Sequence, residues 1–298
     1  MKKNDKIKTR QYLTLNSASL MLLLVVCQPV AADNKIFTIL PDFPGATFTS
    51  FRGINTAGDI VGFYGTAAGV GHGFLLRGGS FTTIDPPGSL GTLALGINDQ
   101  GDIVGEYVFG GATHGFLLSG GTFTTIDHLG SGGLHLFGIN GKGDVVGQYV
   151  FGGGFLLSGG VFSAIDFPVT GAITAPFAIN DQGDVVGEWG GTGSGGITHG
   201  FLLSGGGFTT LDFPGASLNI PGGIDDQGEI SGSYAFAGAA GGHGFFWRKG
   251  HFTTVDFPGA SSSGLTAISS QGDNILGGES SAGVSHGFLL TTRGSSKP

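Results

Sequence analysis

One unit returns six times along this chain, and nothing else in the sequence constrains the fold as much. Its clearest copy is Gly96-Ile97-Asn98-Asp99-Gln100-Gly101-Asp102-Ile103-Val104-Gly105-Glu106-Tyr107. Aligned on the isoleucine, the copies fall at Ile54, Ile97, Ile139, Ile179, Ile224 and Ile268, spaced by 43, 42, 40, 45 and 44 residues. A period in the low forties is that of a propeller blade, a small sheet that cannot bury its apolar face without a neighbour.

Within each period four short segments read as strands, and none carries a helical pattern. The first ends in Gly-Ile-Asn or a relative of it. A tight turn follows, with Gly58, Gly101, Gly143, Gly183, Gly228 and Gly272 supplying the positive φ it needs. The second segment, Ile-Val-Gly in most copies, closes on Tyr64, Tyr107, Tyr149, Trp189 or Tyr234. In the sixth copy Asn274 reads as an insertion and Glu279 lies near the aromatic position. The third opens with His-Gly-Phe at His72, His114, His199, His243 and His286, while the third repeat carries Gly153 in place of the histidine. The fourth is of the Phe-Thr-Thr-Ile-Asp type, β-branched and aromatic, and it exits through Asp-Phe-Pro-Gly.

The sixth repeat stops after the third segment, and a spare copy of the fourth, Ile36-Phe37-Thr38-Ile39-Leu40-Pro41-Asp42, precedes the first. A closed ring reunites the two and hides both unpaired edges. The sequence therefore predicts an all-β fold: a six-bladed β-propeller of four-stranded antiparallel blades, with the ring closed by the N-terminal strand, residues 36–42. The single domain covers 33–298, with repeats near 47–89, 90–131, 132–171, 172–216, 217–260 and 261–290.

Residues 1–32 differ in character. Lys2, Lys3, Lys6, Lys8 and Arg10 precede an uncharged stretch with an apolar centre at Leu20–Val26, and Val30-Ala31-Ala32 offers small residues for cleavage before Asp33. This reads as a secretory signal peptide, too short in its apolar centre to span a bilayer. Its removal takes five of the 13 basic and one of the 21 acidic residues, leaving 8 against 20, a net charge of −12. An acidic, secreted or periplasmic monomer is expected, with no membrane span after cleavage and no nucleic-acid partner, since no basic stripe remains to meet phosphates. The one cysteine, Cys27, leaves with the signal.

The chemistry-bearing residues mostly belong to the repeat. Histidines on successive blades cannot converge on one ion, so each is expected to bond an Asp or Thr strand residue of its own blade. The Asn-Asp-Gln-Gly turn resembles a calcium loop but is short and lacks alternating carboxylates; Asp225-Asp226 comes nearest. Gly191-Thr192-Gly193-Ser194-Gly195-Gly196 has the letters of a phosphate loop with no helix after it. No cofactor, metal or catalytic residue is assigned, although Glu106 and Glu188 stand out as carboxylates outside the repeat pattern. Loops after the second strand vary in length, with 7, 6, 3, 9 and 8 residues in repeats one to five. Variable loops on a rigid scaffold carry recognition, and the aromatics at their bases, Tyr64, Tyr107, Tyr149, Trp189 and Tyr234, are candidate ligand-binding residues.

Together, Gly-Ile-Asn-x-x-Gly-Asp-Ile-Val-Gly, His-Gly-Phe-Leu and Phe-Thr-Thr-Ile-Asp-Phe-Pro-Gly, recurring in that order over residues 36–290, resemble the bacterial exported repeat proteins called the HAF family. The resemblance implies export and repeat architecture and carries no activity. The expected role is a scaffold that binds a glycan or an envelope or extracellular protein through one propeller face. A polysaccharide hydrolase or lyase, or a purely structural surface protein, are the alternatives.

Overall fold

The computed structural model describes residues 35–191, 195–281 and 284–292; residues 1–32, expected to be a signal peptide, and the centre of the Gly191–Gly196 stretch lie outside them. It holds six four-stranded antiparallel sheets, and five of them take four consecutive strands each. The sixth is made of Ser262–Ile268, Asn274–Ser281 and Val284–Thr292, with Lys35–Ile39 paired antiparallel to its outer edge. The chain is a six-bladed β-propeller. Its closing strand ends at Ile39, and the rest of the expected 36–42 segment belongs to the connection into blade one.

The strand that lines the axis is the first of each blade: Phe48–Ile54, Gly91–Ile97, Leu134–Ile139, Ala172–Ile179, Leu218–Ile224 and Ser262–Ile268. Each packs against its counterpart in the next blade, and the last meets the first. The fourth strand is outermost, so the Asp-Phe-Pro-Gly connection crosses from the rim of one blade to the axis of the next.

Two glycines per repeat allow this packing. The second-strand glycine, Gly105 for example, lies so close to its neighbours that a Cβ would come within 2.0 Å of the Leu93 carbonyl oxygen and 2.9 Å of the Phe116 ring. The glycine of His-Gly-Phe is where the next blade docks: a Cβ on Gly115 would meet Leu136 at 2.8 Å, and one on Gly287 would meet Phe51 at 2.2 Å. The adjoining phenylalanines, Phe74, Phe116, Phe155, Phe201, Phe245 and Phe288, are fully buried. The apolar clusters accordingly straddle blades. One joins Val61 and Ile84 of the first blade to Ala94, Ile97 and Phe116 of the second, and another joins Ala267 and Leu276 of the sixth to Phe51 and Phe74 of the first.

All six turn glycines between first and second strands have positive φ, from 76° to 87°. Four histidines bond their own blade through Nδ1: His72 to Asp85 at 2.7 Å, His114 to Asp127 at 2.8 Å, His199 to Asp212 at 2.6 Å and His243 to Asp256 at 2.9 Å.

Closure rests on a strand far away in sequence. Phe37 packs against Phe257 and Phe288, both at 5.4 Å between ring centroids. Phe37→Ala is expected to lower stability by about 2–4 kcal/mol, somewhat below the roughly 3–5 kcal/mol of a fully buried ring because Phe37 is half-buried. Chemical denaturation would measure it, and a loss below about 1 kcal/mol would show that the closing strand matters little.

Candidate functional site

The two faces of the ring differ chemically. The turns after first and third strands form one face, which carries Asp99, Asp102, Asp144, Asp181, Asp184, Asp226, Glu229 and Asp273. The loops after second strands and the Asp-Phe-Pro-Gly connections form the other.

At the carboxylate-rich face the channel narrows to about 150 Å³ among the Gly-Ile-Asn turns. The asparagines there do two jobs. Each Oδ1 accepts the N–H four residues on, as Asn98 does from Asp102 at 2.9 Å, which shapes the turn. Each Nδ2 donates to the turn carbonyl of the next blade: Asn55 to Asn98 at 3.2 Å, Asn98 to Asn140 and Asn140 to Asn180 at 3.1 Å, and Asn180 to Asp225 at 3.0 Å. The belt loses its amide at Asp225 and Ser269, and Asn274 resumes it by donating to the Thr56 carbonyl at 3.2 Å. The residue read from sequence as an insertion thus helps close the ring. An Asp would serve the turn equally well, so the recurrent choice of Asn over Asp was the signal of this second role.

The candidate aromatics sit beneath the opposite face, and the rings of Tyr64, Trp189 and Tyr234 are covered on both sides. Tyr64 stacks on Phe43 at 3.6 Å and faces His72 at 5.3 Å. Trp189 lies between Phe167 and His199, both at 4.3 Å, and Tyr234 lies between Phe213 at 3.7 Å and His243 at 5.1 Å. Tyr107 faces His114 at 5.4 Å, and Tyr149 packs against His128 at 5.2 Å and Phe155 at 4.9 Å. Hydroxyls of Tyr64, Tyr107 and Tyr234 bond Thr83, Thr125 and Thr254 of the outermost strands. Tyr64, Tyr149, Trp189 and Tyr234 tie their blades to the connection entering each. Stacking on a sugar would need the covering Phe and His side chains to leave.

Open space lies on the axis instead. Each innermost strand has a register shift, at Phe51/Gly53, Ala94/Gly96, Leu136/Gly138, Pro176/Ala178, Pro221/Gly223 and Leu265/Ala267. The residues within these bulges, Arg52, Leu95, Phe137, Phe177, Gly222 and Thr266, form a layer at the head of a cavity of about 560 Å³. Below it come residues paired across first and second strands: Ser50 with Phe63, Leu93 with Glu106, His135 with Gln148, Ala175 with Glu188, Ile220 with Ser233 and Gly264 with Gly278. No two of these pairs are alike, in a chain that repeats almost everywhere else.

Charge in this layer is partly satisfied. Glu106 Oε2 bonds His135 Nδ1, and that carboxylate holds the imidazole above its usual pKa range. Burial pushes the Glu188 carboxyl up, and Glu188 is not among the residues lining the cavity. The two carboxylates singled out in the sequence thus occupy matching register positions in different surroundings. Beside blade six, where both partners are glycine, a cleft of about 420 Å³ with Ser50, Ser262, Ser263, Ser280 and Ser285 in its lining reaches the loop face. Arg52, Ser233 and Thr266 line both spaces.

No protein-family model and no curated protein matches the chain. Among solved structures, the β-propeller domain of the Trilobed protease from Pyrococcus furiosus is similar with a TM-score of 0.54 at 9% identity, covering 92% of this chain and 99% of that one. An oligogalacturonate lyase from Vibrio parahaemolyticus gives 0.52 at 11% identity, covering 88% and 84%. A gluconolactonase from Xanthomonas campestris gives 0.50 at 11% identity, covering 88% and 92%. At such identities the likeness is one of fold.

The belt yields a pH-dependent prediction. Asp225 is buried, and its carboxyl is pushed from 3.8 up to about 6, chiefly by burial and against hydrogen bonds from the Glu229 and Gln227 N–H groups. The folded chain therefore holds this proton more tightly than the unfolded one. The resulting stabilisation is full below about pH 4 and is lost as pH rises through about 6, a change of roughly 3 kcal/mol. Asp225→Asn, which also restores an amide, is expected to raise the melting temperature at pH 7.5 and to lose that advantage below pH 5. Thermal melts across pH 4–8 would measure it, and a gain independent of pH would contradict the buried-charge account.

Proposed function

We propose that this chain is an exported binding scaffold of the HAF-repeat kind that engages an envelope or extracellular protein through its loop face. The observation that carries this reading is where exposed apolar side chains gather. Among the described residues, large exposed apolar side chains number twelve, and all but Val161 lie at the loop-face ends of strands or in the loops there. Seven belong to blades two to four or the connections into them: Leu90, Val108, Phe109, Leu129, Val150, Phe151 and Ile173. Leu129 is 97% exposed and Phe151 85% exposed. Scattered apolar residues are ordinary on a protein surface, but this one-sided distribution on variable loops marks an interaction surface. The carboxylate-rich face stays in water.

A protein partner is favoured over a glycan because the stacks on Tyr64, Trp189 and Tyr234 leave those aromatic faces unavailable to sugars, whereas exposed Phe and Leu suit apolar pockets on another protein. Catalysis has less support. Glu106 is engaged by His135, and Glu188 is absent from the cavity lining. Crosslinking and capture from an envelope extract would test the binding role. Wild-type protein is expected to retain a discrete partner that Phe109→Ser combined with Phe151→Ser weakens at least tenfold at unchanged melting temperature. Equal capture by wild type and variant, or capture of nothing, would overturn the reading.

A further inference from the structure

We propose that the axial cavity binds a small sugar acid, its carboxylate taken by Arg52 and its hydroxylated ring lying among Phe63, Gln148 and Ser233 at the mouth of the serine-lined cleft. This site is separate from the loop-tip surface and does not depend on it.

Arg52 is the only charged residue among the six bulge positions. Its guanidinium lies over the Phe63 ring, 5.3 Å from the centroid, and no carboxylate of the described residues pairs with it. Of the carboxylates nearby, Glu106 is bonded to His135, while Glu279, in the lining of the cleft, turns to the Ser281 hydroxyl rather than to Arg52. Arg52 is thus a guanidinium facing the axis with no ion-pair partner among the described residues. Arg52 has exposed surface because it faces open space, yet protein surrounds that space, and burial lowers its pKa. An uncompensated charge held this way is costly unless an anion joins it.

The cavity's form narrows the class of anion. A guanidinium backed by an aromatic ring presents its fork of donors to a planar two-oxygen acceptor, which a carboxylate provides. At about 560 Å³ the cavity lies within the range of ordinary small-molecule sites, and the adjoining cleft adds about 420 Å³. Phe63, Phe137 and Phe177 offer apolar faces to the C–H side of a pyranose ring. Gln148, Ser233 and the cleft serines, Ser50, Ser263 and Ser280, offer hydroxyl and amide partners. Gln148 and Ser233 already donate to the Thr174 and Leu265 carbonyls and Ser263 accepts from the Phe257 N–H, so their remaining hydrogen-bonding capacity and the free serines are what a hydroxylated ring would use, while a neutral sugar would leave Arg52 without a counter-charge.

Isothermal titration of the purified full chain with galacturonate, glucuronate, galactose, glucose and benzoate would test this. At least one uronate is expected to bind ten times or more tightly than its neutral counterpart. Arg52→Leu, which places there the residue the second blade carries, is expected to weaken uronate binding at least tenfold, and Arg52→Lys severalfold. Ser233→Phe, which fills the junction of cavity and cleft, should also abolish it. Melting temperatures would confirm that each variant folds. Binding of neither uronate, uronate binding unchanged in Arg52→Leu, or a preference for benzoate would each overturn the proposal. The Phe109→Ser, Phe151→Ser variant should bind uronates as wild type does, so failure of the loop-face reading and failure of this one are seen separately.

Discussion

The structure depends on contact between blades across glycine. Each His-Gly-Phe segment buries its phenylalanine inside its own sheet and leaves a bare backbone position beside it, where the next innermost strand comes to rest. A single blade therefore has an unfilled flank and an uncovered face, and only a neighbour completes it. Because the need passes from blade to blade, it ends only when the ring closes. The Lys35–Ile39 strand meets it by pairing with Val284–Thr292, so the termini of the described chain hold one blade between them. The same linkage explains why hydrogen bonds also run around the ring: the asparagine belt joins turns about forty residues apart.

Much of this was legible in the repeat. The period set the blade, the turn glycines marked the hairpins, and the stray fourth-strand copy at Ile36–Asp42 implied closure. A bond from each histidine to an Asp or Thr of its own blade was expected, and four of them are made, to Asp85, Asp127, Asp212 and Asp256. What could not be read was the direction of the axis. Alternation along a strand distinguishes one face of a sheet from the other but does not say which edge strand lies at the centre, so the channel-lining layer stayed hidden. Its bulges are invisible in sequence, since one unpaired residue such as Arg52 looks like any other member of the strand.

The aromatic positions show the same limit from the other side. Tyr64, Trp189 and Tyr234 sit at the foot of variable loops, a place where recognition is common, but the partner that covers each ring is the Phe of the preceding connection. That contact joins the second strand of one blade to the chain arriving from the last. Where the connection carries His128 instead of Phe, and Gly153 stands in for the usual histidine, Tyr149 is left half-buried. The same blade carries the exposed Phe151 and follows the exposed Leu129, so departures from the repeat cluster where the surface is most apolar.

Repetition also separates scaffold from site. A residue that recurs in six blades answers a need that every blade has, and in this fold those needs are turns, docking flanks and blade-to-blade bonds. A function requiring one ligand in one orientation must break that symmetry, and the places able to do so without harming the blades are those whose side chains face the axis or the loop tips. The axial layer breaks it most completely, with Ser50 and Phe63, Leu93 and Glu106, His135 and Gln148, Ala175 and Glu188, Ile220 and Ser233, and Gly264 and Gly278 at one level. An arginine without a carboxylate partner stands among the bulge residues, and a glutamate bonded to a histidine stands in the layer below. Their presence at axial positions that do not repeat from blade to blade is the physical reason to place the proposed specificity on the axis rather than in the recurrent Asn-Asp-Gln-Gly turn.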